Sequence, residues 1–222
     1  MYKRVYVWEL PVRILHWFHV ASILVLALTG VYIGHPFIGL LALGQTVRVQ
    51  VTDWVRLVHF LASYVFGLGF LARVYWFFAG NQYASWRGWV PVSRERWVAL
   101  WEQLKYYLFL RRDRPEYLGH NPVSGLSYFA VGVLVMVQGI TGLALYAAPY
   151  YLSGLWRFTF SWLLTSVGDP ILRLIHHGLM YLFGIFLLVH LYMAVLGDVE
   201  EGSAPITSII SGFKFERVRR EG

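Results

Sequence analysis

Four apolar runs of about twenty residues or more limit what this chain can fold into. They cover about 14–34, 55–79, 124–147 and 170–196. A helix needs about 20 apolar residues to cross the hydrocarbon core of a bilayer. Within that core each backbone N–H and C=O must be satisfied inside the protein, which a helix does by itself. The expected fold class is therefore all-α: an integral membrane four-helix bundle, with residues 1–222 as one domain. Composition agrees, since 58% of the residues are hydrophobic and only 14% charged. The start, MYKRVYVWELPVRILHW, does not read as a signal peptide, because charged residues interrupt it and no small-residue cleavage site follows. The first span is expected to direct insertion.

Charge sets the expected orientation. Four spans put both termini on one side. The N-terminus, the 80–123 loop and the tail hold 14 of the 19 Lys and Arg; Arg48, Arg56, Arg157 and Arg173 lie towards the other side and Arg73 within a span. The positive-inside rule then predicts a multi-pass protein of a bacterial-type cytoplasmic (inner) membrane with both termini in the cytoplasm. The net charge of +7 has its explanation there, so membrane lipid and not nucleic acid is the expected partner. The chain has no cysteine, which excludes covalent haem, cysteine-ligated iron–sulfur clusters and disulfides.

Two connecting segments carry patterns of their own. Within the 80–123 loop, Ser93 to Leu110 reads as a helix with Ser93 as N-cap. Trp97, Leu100, Trp101, Leu104 and Leu108 share one side, as in an interfacial amphipathic helix; a helix packed on a partner shows the same pattern. The loop with Trp156, Phe158, Phe160 and Trp162 reads as a second surface-lying helix. It is a candidate docking surface, and membrane anchoring explains its aromatics equally.

Histidines inside apolar spans need a reason. The fourth run carries His176, His177 and His190. A separation of fourteen residues puts His176 and His190 within roughly 40° of one helix face and about 21 Å apart, while His177 lies roughly 140° from His190. The expected orientation turns these positions into depths. His59 matches His176 at the outer level; His16, or His19, matches His190 at the inner level. Two facing imidazoles at each of two depths are what two non-covalent, bis-histidine b-type haems require. Histidines that hydrogen-bond between helices, or a transporter moving cations or protons, are the alternatives. The transporter lacks support from carboxylates, since no Asp or Glu lies between the span ends. His177 reads as a neighbouring residue and not a ligand.

Arginines add to this pattern. Arg13, Arg56 and Arg173 each precede His16, His59 and His176 by three residues. They are placed to pair with haem propionates, or to snorkel to lipid phosphates. Arg73 follows His59 by fourteen residues, on the same face. A buried arginine needs a counter-charge, which an inner propionate would supply. The glycines at 67, 69, 139, 142, 178 and 184 either clear room for a porphyrin or serve helix packing. His120 and Asn121, with Tyr192 and Met193 after the inner histidine, form a candidate quinone site.

Four segments carry a family resemblance. RILHWFHV, LVHFLASYVFGLGFLARVYWFFAGNQY, GHNPVSG and IHHG…VHLYMA occur in order, and SIISGFKF closes the chain. Together they resemble the cytochrome b subunit of membrane-bound nickel–iron hydrogenases. That family sits in a wider group with the cytochrome b subunits of formate dehydrogenase and thiosulfate reductase; GHNP and YWFFAGNQY favour the hydrogenase member. The resemblance implies a four-helix cytochrome with two b haems, ligated by His16, His59, His176 and His190. It thereby chooses His16 over His19, and it leaves His19 and His177 without roles. It further implies partnership with the hydrogenase small (iron–sulfur) and large subunits, and electron relay from hydrogen oxidation to the quinone pool, with quinone as substrate. Such a chain is an electron-transfer subunit with no hydrogen-activating centre of its own.

Overall fold

A computed structural model of the chain describes residues 2–36, 45–113, 115, 117–150, 154–201 and 205–217. The elements run β1 (Tyr2–Tyr6), α1 (Leu10–Gly34), α2 (Gln45–Ala79), α3 (Trp86–Trp89), α4 (Arg94–Tyr107), α5 (Pro122–Ala147), α6 (Gly154–Thr159), α7 (Ser161–Val167), α8 (Asp169–Glu201), α9 (Pro205–Ser211) and β2 (Phe213–Arg217). Four of them, α1, α2, α5 and α8, are long and apolar enough to cross a membrane. Leu28, Leu68, Leu174 and Leu188 on these helices are 66–72% exposed, a surface suited to lipid and not to water. The fold is an all-α membrane bundle with a small two-stranded antiparallel sheet made from segments near the two ends of the chain.

Each spanning helix is longer than its apolar run. Helix α1 starts at Leu10 and keeps Pro11 in its first turn, where the missing N–H has no helical partner to lose. Helix α2 starts at Gln45, and α8 continues to Glu201. Pro122 opens α5 because Asn121 caps it: the Asn121 Oδ1 accepts the Ser124 N–H at 2.8 Å. Ser93 caps α4 by accepting the Arg96 N–H at 3.3 Å.

The amphipathic helix is shorter and less cleanly sided than its pattern predicts. It ends at Tyr107, and Phe109 takes φ 59°, a left-handed conformation that terminates a helix. Trp97, Trp101 and Leu108 are exposed, while Leu100 is buried beside a fully buried Gln103. The expected helix across the aromatic loop is two short ones, α6 and α7, closed by Gly168 at φ +84°. The side chain of Trp156, and residues Arg114, Arg219 and Arg220 of the basic segments, lie outside what is described.

The Cα positions divide into two compact units. The first comprises Met1–Val20, Leu68–Ala130 and Leu188–Gly222. Strands β1 and β2 pair antiparallel within it, from Tyr2 opposite Arg217 to Tyr6 opposite Phe213, so the two ends of the chain meet. Val7, Trp8, Val12 and Ala84 form its buried core, with Trp76, Tyr83 and Ile209 packed against them. Gly212 accepts the N–H groups of Val7 and Trp8 at 2.9 and 3.0 Å. It sits at φ +88°, and a Cβ there would lie 2.7 Å from the Tyr6 ring and 2.8 Å from the Trp8 carbonyl; only glycine fits. The Glu9 carboxylate accepts from the Trp76 indole at 2.9 Å and the Asn81 N–H at 2.8 Å, and the Asn81 amide returns a bond to the Val7 carbonyl at 3.0 Å. A Cβ on Gly125 would lie 2.7 Å from the Gly88 carbonyl, so this glycine lets α5 start against α3.

The second unit comprises Ala21–Gly67 and Val131–Leu187. It is built from span segments together with α6 and α7. Strands, long polar loops and chain ends belong to the first unit.

Candidate functional site

In the second unit α2 carries His59 and α8 carries His176 and His177, and His59 and His176 each meet a threonine of a different helix. Thr29 Oγ1 of α1 lies 2.8 Å from His59 Nδ1, and Thr141 Oγ1 of α5 lies 3.1 Å from His176 Nδ1. Gln138 Nε2 lies 3.3 Å from His176 Nε2. Glycines admit the rings: a Cβ on Gly142 would lie 3.0 Å from His176 Cε1, and one on Gly30 would lie 3.7 Å from His59 Cε1 and 3.1 Å from Met180 Sδ. Gly139, Gly178 and Gly184 leave open space where a Cβ would stand. His177 points elsewhere. Its Nδ1 lies 2.9 Å from the Arg173 carbonyl, and its Nε2 would meet a Cβ on Gly34 at 3.0 Å.

In the first unit α1 and α8 supply His16 and His190, whose ring centres stand 6.4 Å apart at 49°. Two imidazoles on one metal ion, with bonds of about 2 Å, put their ring centres about 6 Å apart, so this pair is spaced to clasp an iron. Tyr128 Oη lies 3.2 Å from His190 Nδ1. The His16 Nδ1 is buried with no hydrogen-bond partner among the described residues. His19 packs on α2 with the Nε2 edge of its ring, where a Cβ on Gly69 would lie 3.2 Å from Nε2.

The four arginines fare differently. Arg73 donates to the Ala84 carbonyl at 3.1 Å and stacks its guanidinium 4.5 Å from the Trp89 ring centre. Its Nη1 is buried with no partner among the described residues, as is the Trp89 indole nitrogen. Arg13 gives Nη1 to the Ile210 carbonyl and also keeps a buried Nε without a partner. Arg173 is paired with Asp169 at 2.6 and 3.2 Å and is exposed; Arg56 is exposed.

His120 is enclosed by aromatic rings. Trp8, Tyr128 and Trp89 stand 4.7, 4.8 and 5.9 Å from its ring centre. A little ring surface stays accessible, but this packing dominates its surroundings. Burial, and then the cations Lys214 and Arg73, hold its imidazole far below the usual range, at about 3, so His120 is neutral. Asn121 is occupied as the α5 cap, and its amide donates to Tyr107 Oη at 3.1 Å. Tyr192 is exposed on α8 with Met193 beside it, partly buried.

This chemistry fits haem. The His16/His190 spacing suits one iron. Among the described residues of the first unit, the orphaned groups include several donors, the Arg73 and Arg13 guanidinium nitrogens and the Trp89 indole, beside Arg96 Nε and both polar atoms of the Gln103 amide. Donors buried without acceptors suit an anion such as a propionate. Sequence reasoning passed over Thr29, Thr141, Gln138 and Tyr128. The available signal was that each is a polar group inside an apolar span, where such groups serve as interhelical bonds.

Comparison with known proteins places the chain in a family. The chain is 36% identical over 215 residues to a protein of Azotobacter vinelandii named probable Ni/Fe-hydrogenase B-type cytochrome subunit, covering 95% of this chain and 88% of that one. Proteins of similar name from Rhodobacter capsulatus and Escherichia coli K12 are 34% and 32% identical; the matches cover 96% and 94% of this chain, and 84% and 90% of the relatives. The family model described as prokaryotic cytochrome b561 matches residues 7–212, and the chain therefore belongs to that family of membrane b-type cytochromes.

Proposed function

We propose that this chain is the membrane electron-relay subunit of a nickel–iron hydrogenase, carrying two b-type haems and reducing quinone. The observation that carries the reading is that four span histidines divide between the compact units, His16 and His190 in one with ring centres 6.4 Å apart and His59 and His176 in the other, each from a different helix of its unit. His59 and His176 hold one haem, and His16 and His190 the other. Haem, when bound, supplies a one-electron couple. The protein would contribute imidazole nitrogens, apolar surroundings and buried cations. Arg73, Trp89 and Arg13 would donate to the carboxylates of a haem held by His16 and His190, while Arg56 and Arg173 stand one turn from His59 and His176.

Electrons enter at His59/His176 from the small iron–sulfur subunit of a hydrogenase on the periplasmic face, and leave from His16/His190 towards quinone. Both termini lie in the cytoplasm. The meeting of β1 with β2 and the concentration of basic residues near the chain ends and the 80–123 loop support that topology. The quinone site lies at the start of α5. There neutral His120 offers a hydrogen-bonding ring, Asn121 holds the helix end, and Tyr192 and Met193 follow the ligand on α8. The names of the relatives support a hydrogenase as partner.

Native membranes provide the test. Hydrogen should reduce the haem α band in membranes holding this chain with its hydrogenase, and a quinone-site inhibitor should leave the band reduced. Reduction by formate but not by hydrogen would overturn the hydrogenase assignment.

A further inference from the structure

Thr29 and Thr141 each face three atoms with one proton. Thr29 Oγ1 lies 2.7 Å from the Val25 carbonyl oxygen, 3.2 Å from that of Leu26 and 2.8 Å from His59 Nδ1. Thr141 repeats the arrangement at 2.9 Å from Val137 O, 3.0 Å from Gln138 O and 3.1 Å from His176 Nδ1. A carbonyl oxygen only accepts. Were the hydroxyl proton turned to the histidine, two oxygens would face each other lone pair to lone pair about 3 Å apart in a medium of low dielectric, which is unfavourable. The hydroxyl therefore donates back to its own helix, the usual bond of a mid-helix threonine. Its lone pair is left for the imidazole, so Nδ1 carries the proton. A neutral imidazole with Nδ1–H has a bare Nε2. At His176 the Gln138 amide nitrogen, a donor, lies 3.3 Å from Nε2, which marks that nitrogen as the bare one; an iron would take the same lone pair in place of this contact.

We infer that Thr29 and Thr141 are positioning residues that fix His59 and His176 in the one tautomer able to ligate iron through Nε2, and that tune the iron through the Nδ1–H···O bond. The inference rests on the reading of His59 and His176 as axial ligands. A ligating histidine whose other nitrogen donates to an acceptor is oriented and made more basic. A more basic ligand favours the oxidised iron, so loss of the bond raises the midpoint potential. At the other pair Tyr128 Oη lies 3.2 Å from His190 Nδ1, and the His16 Nδ1 has no hydrogen-bond partner among the described residues.

The test uses the purified full chain with T29V, T141V, T29S, T141S and H176L. Haem per chain and a redox titration of the α band are read for each. Valine keeps the threonine shape without the hydroxyl, and serine keeps the hydroxyl. Each valine variant should release one haem about tenfold to a hundredfold more readily and raise the midpoint of that component alone. The other component reports that the fold is intact. The serine variants should return both readouts to wild type. Valine variants equal to wild type, or serine variants that shift like valine, would overturn the inference while H176L still removes one haem. A shift of both components together would overturn it too. If H176L removes no haem, the ligand reading fails and takes the inference with it.

Discussion

The two compact units hold histidine pairs of the same kind in unlike settings. His59 and His176 sit among helices alone, each braced by a threonine hydroxyl bonded back to its own helix. His16 and His190 sit in the unit that also gathers the two-stranded sheet, the long loops and both chain ends, with Tyr128, the His120 aromatic cage and the half-satisfied cations Arg73 and Arg13 in the same unit. One setting is made of span helices; the other adds strands, loops and chain ends far apart in sequence. The difference suits a relay in which one site only passes electrons while the other must also meet a substrate that takes up protons.

The largest effect that would test this contrast is loss of a haem. H59L and H176L should each remove one haem per chain, H16L and H190L the other, and H177L neither, read by pyridine haemochrome assay of purified protein. Retention by H16L with loss by H19L would move the ligand one helical turn. Next in size is Arg73. R73M should weaken haem binding at the His16/His190 level only, by on the order of 3 kcal/mol, because a buried anion loses its cation; titrating apo-protein with haemin measures it. Third, G212A should lower stability by about 1–3 kcal/mol through backbone strain and the clash with Tyr6. Its thermal midpoint in detergent should fall, while haem at the His59/His176 level persists longer than at the other.

The smallest effect concerns pH. His120 has a folded pKa near 3 against about 6.5 in an unfolded chain. Below the latter value the unfolded state binds more protons, so the contribution of the neutral ring is complete above about pH 6.5 and is lost as pH falls towards 3. Thermal midpoints between pH 7 and 4 should drop less steeply in H120F than in wild type. Equal slopes would show that His120 is not neutral in the folded chain.

Most of what repeats along a helix was legible in the sequence. Apolar run length located four spans, and a fourteen-residue spacing put His176 and His190 on one face of α8. What depends on distant segments was not legible. Five-residue strands at opposite ends of the chain carry no local sign that they pair, and Gly212 and Asn81 declare their purpose only once β2 meets the start of α1. Asn121 read as a polar loop residue; the structure adds that it caps α5, a role visible in Asn-Pro before an apolar run. The helix through Leu110 stops early because Phe109 takes a left-handed conformation that no composition rule flags. Thr29 and Thr141 escaped because a threonine in an apolar run is ordinary until its hydroxyl is seen between a carbonyl and an imidazole.

The central claim is that each histidine pair holds its own haem. The most direct measurement is the haem content of the purified full chain combined with low-temperature electron paramagnetic resonance of the oxidised protein. Two haems per chain, both low-spin with two histidine ligands and titrating as two components, is the predicted result. One haem per chain, or a second haem in a high-spin state, would contradict it.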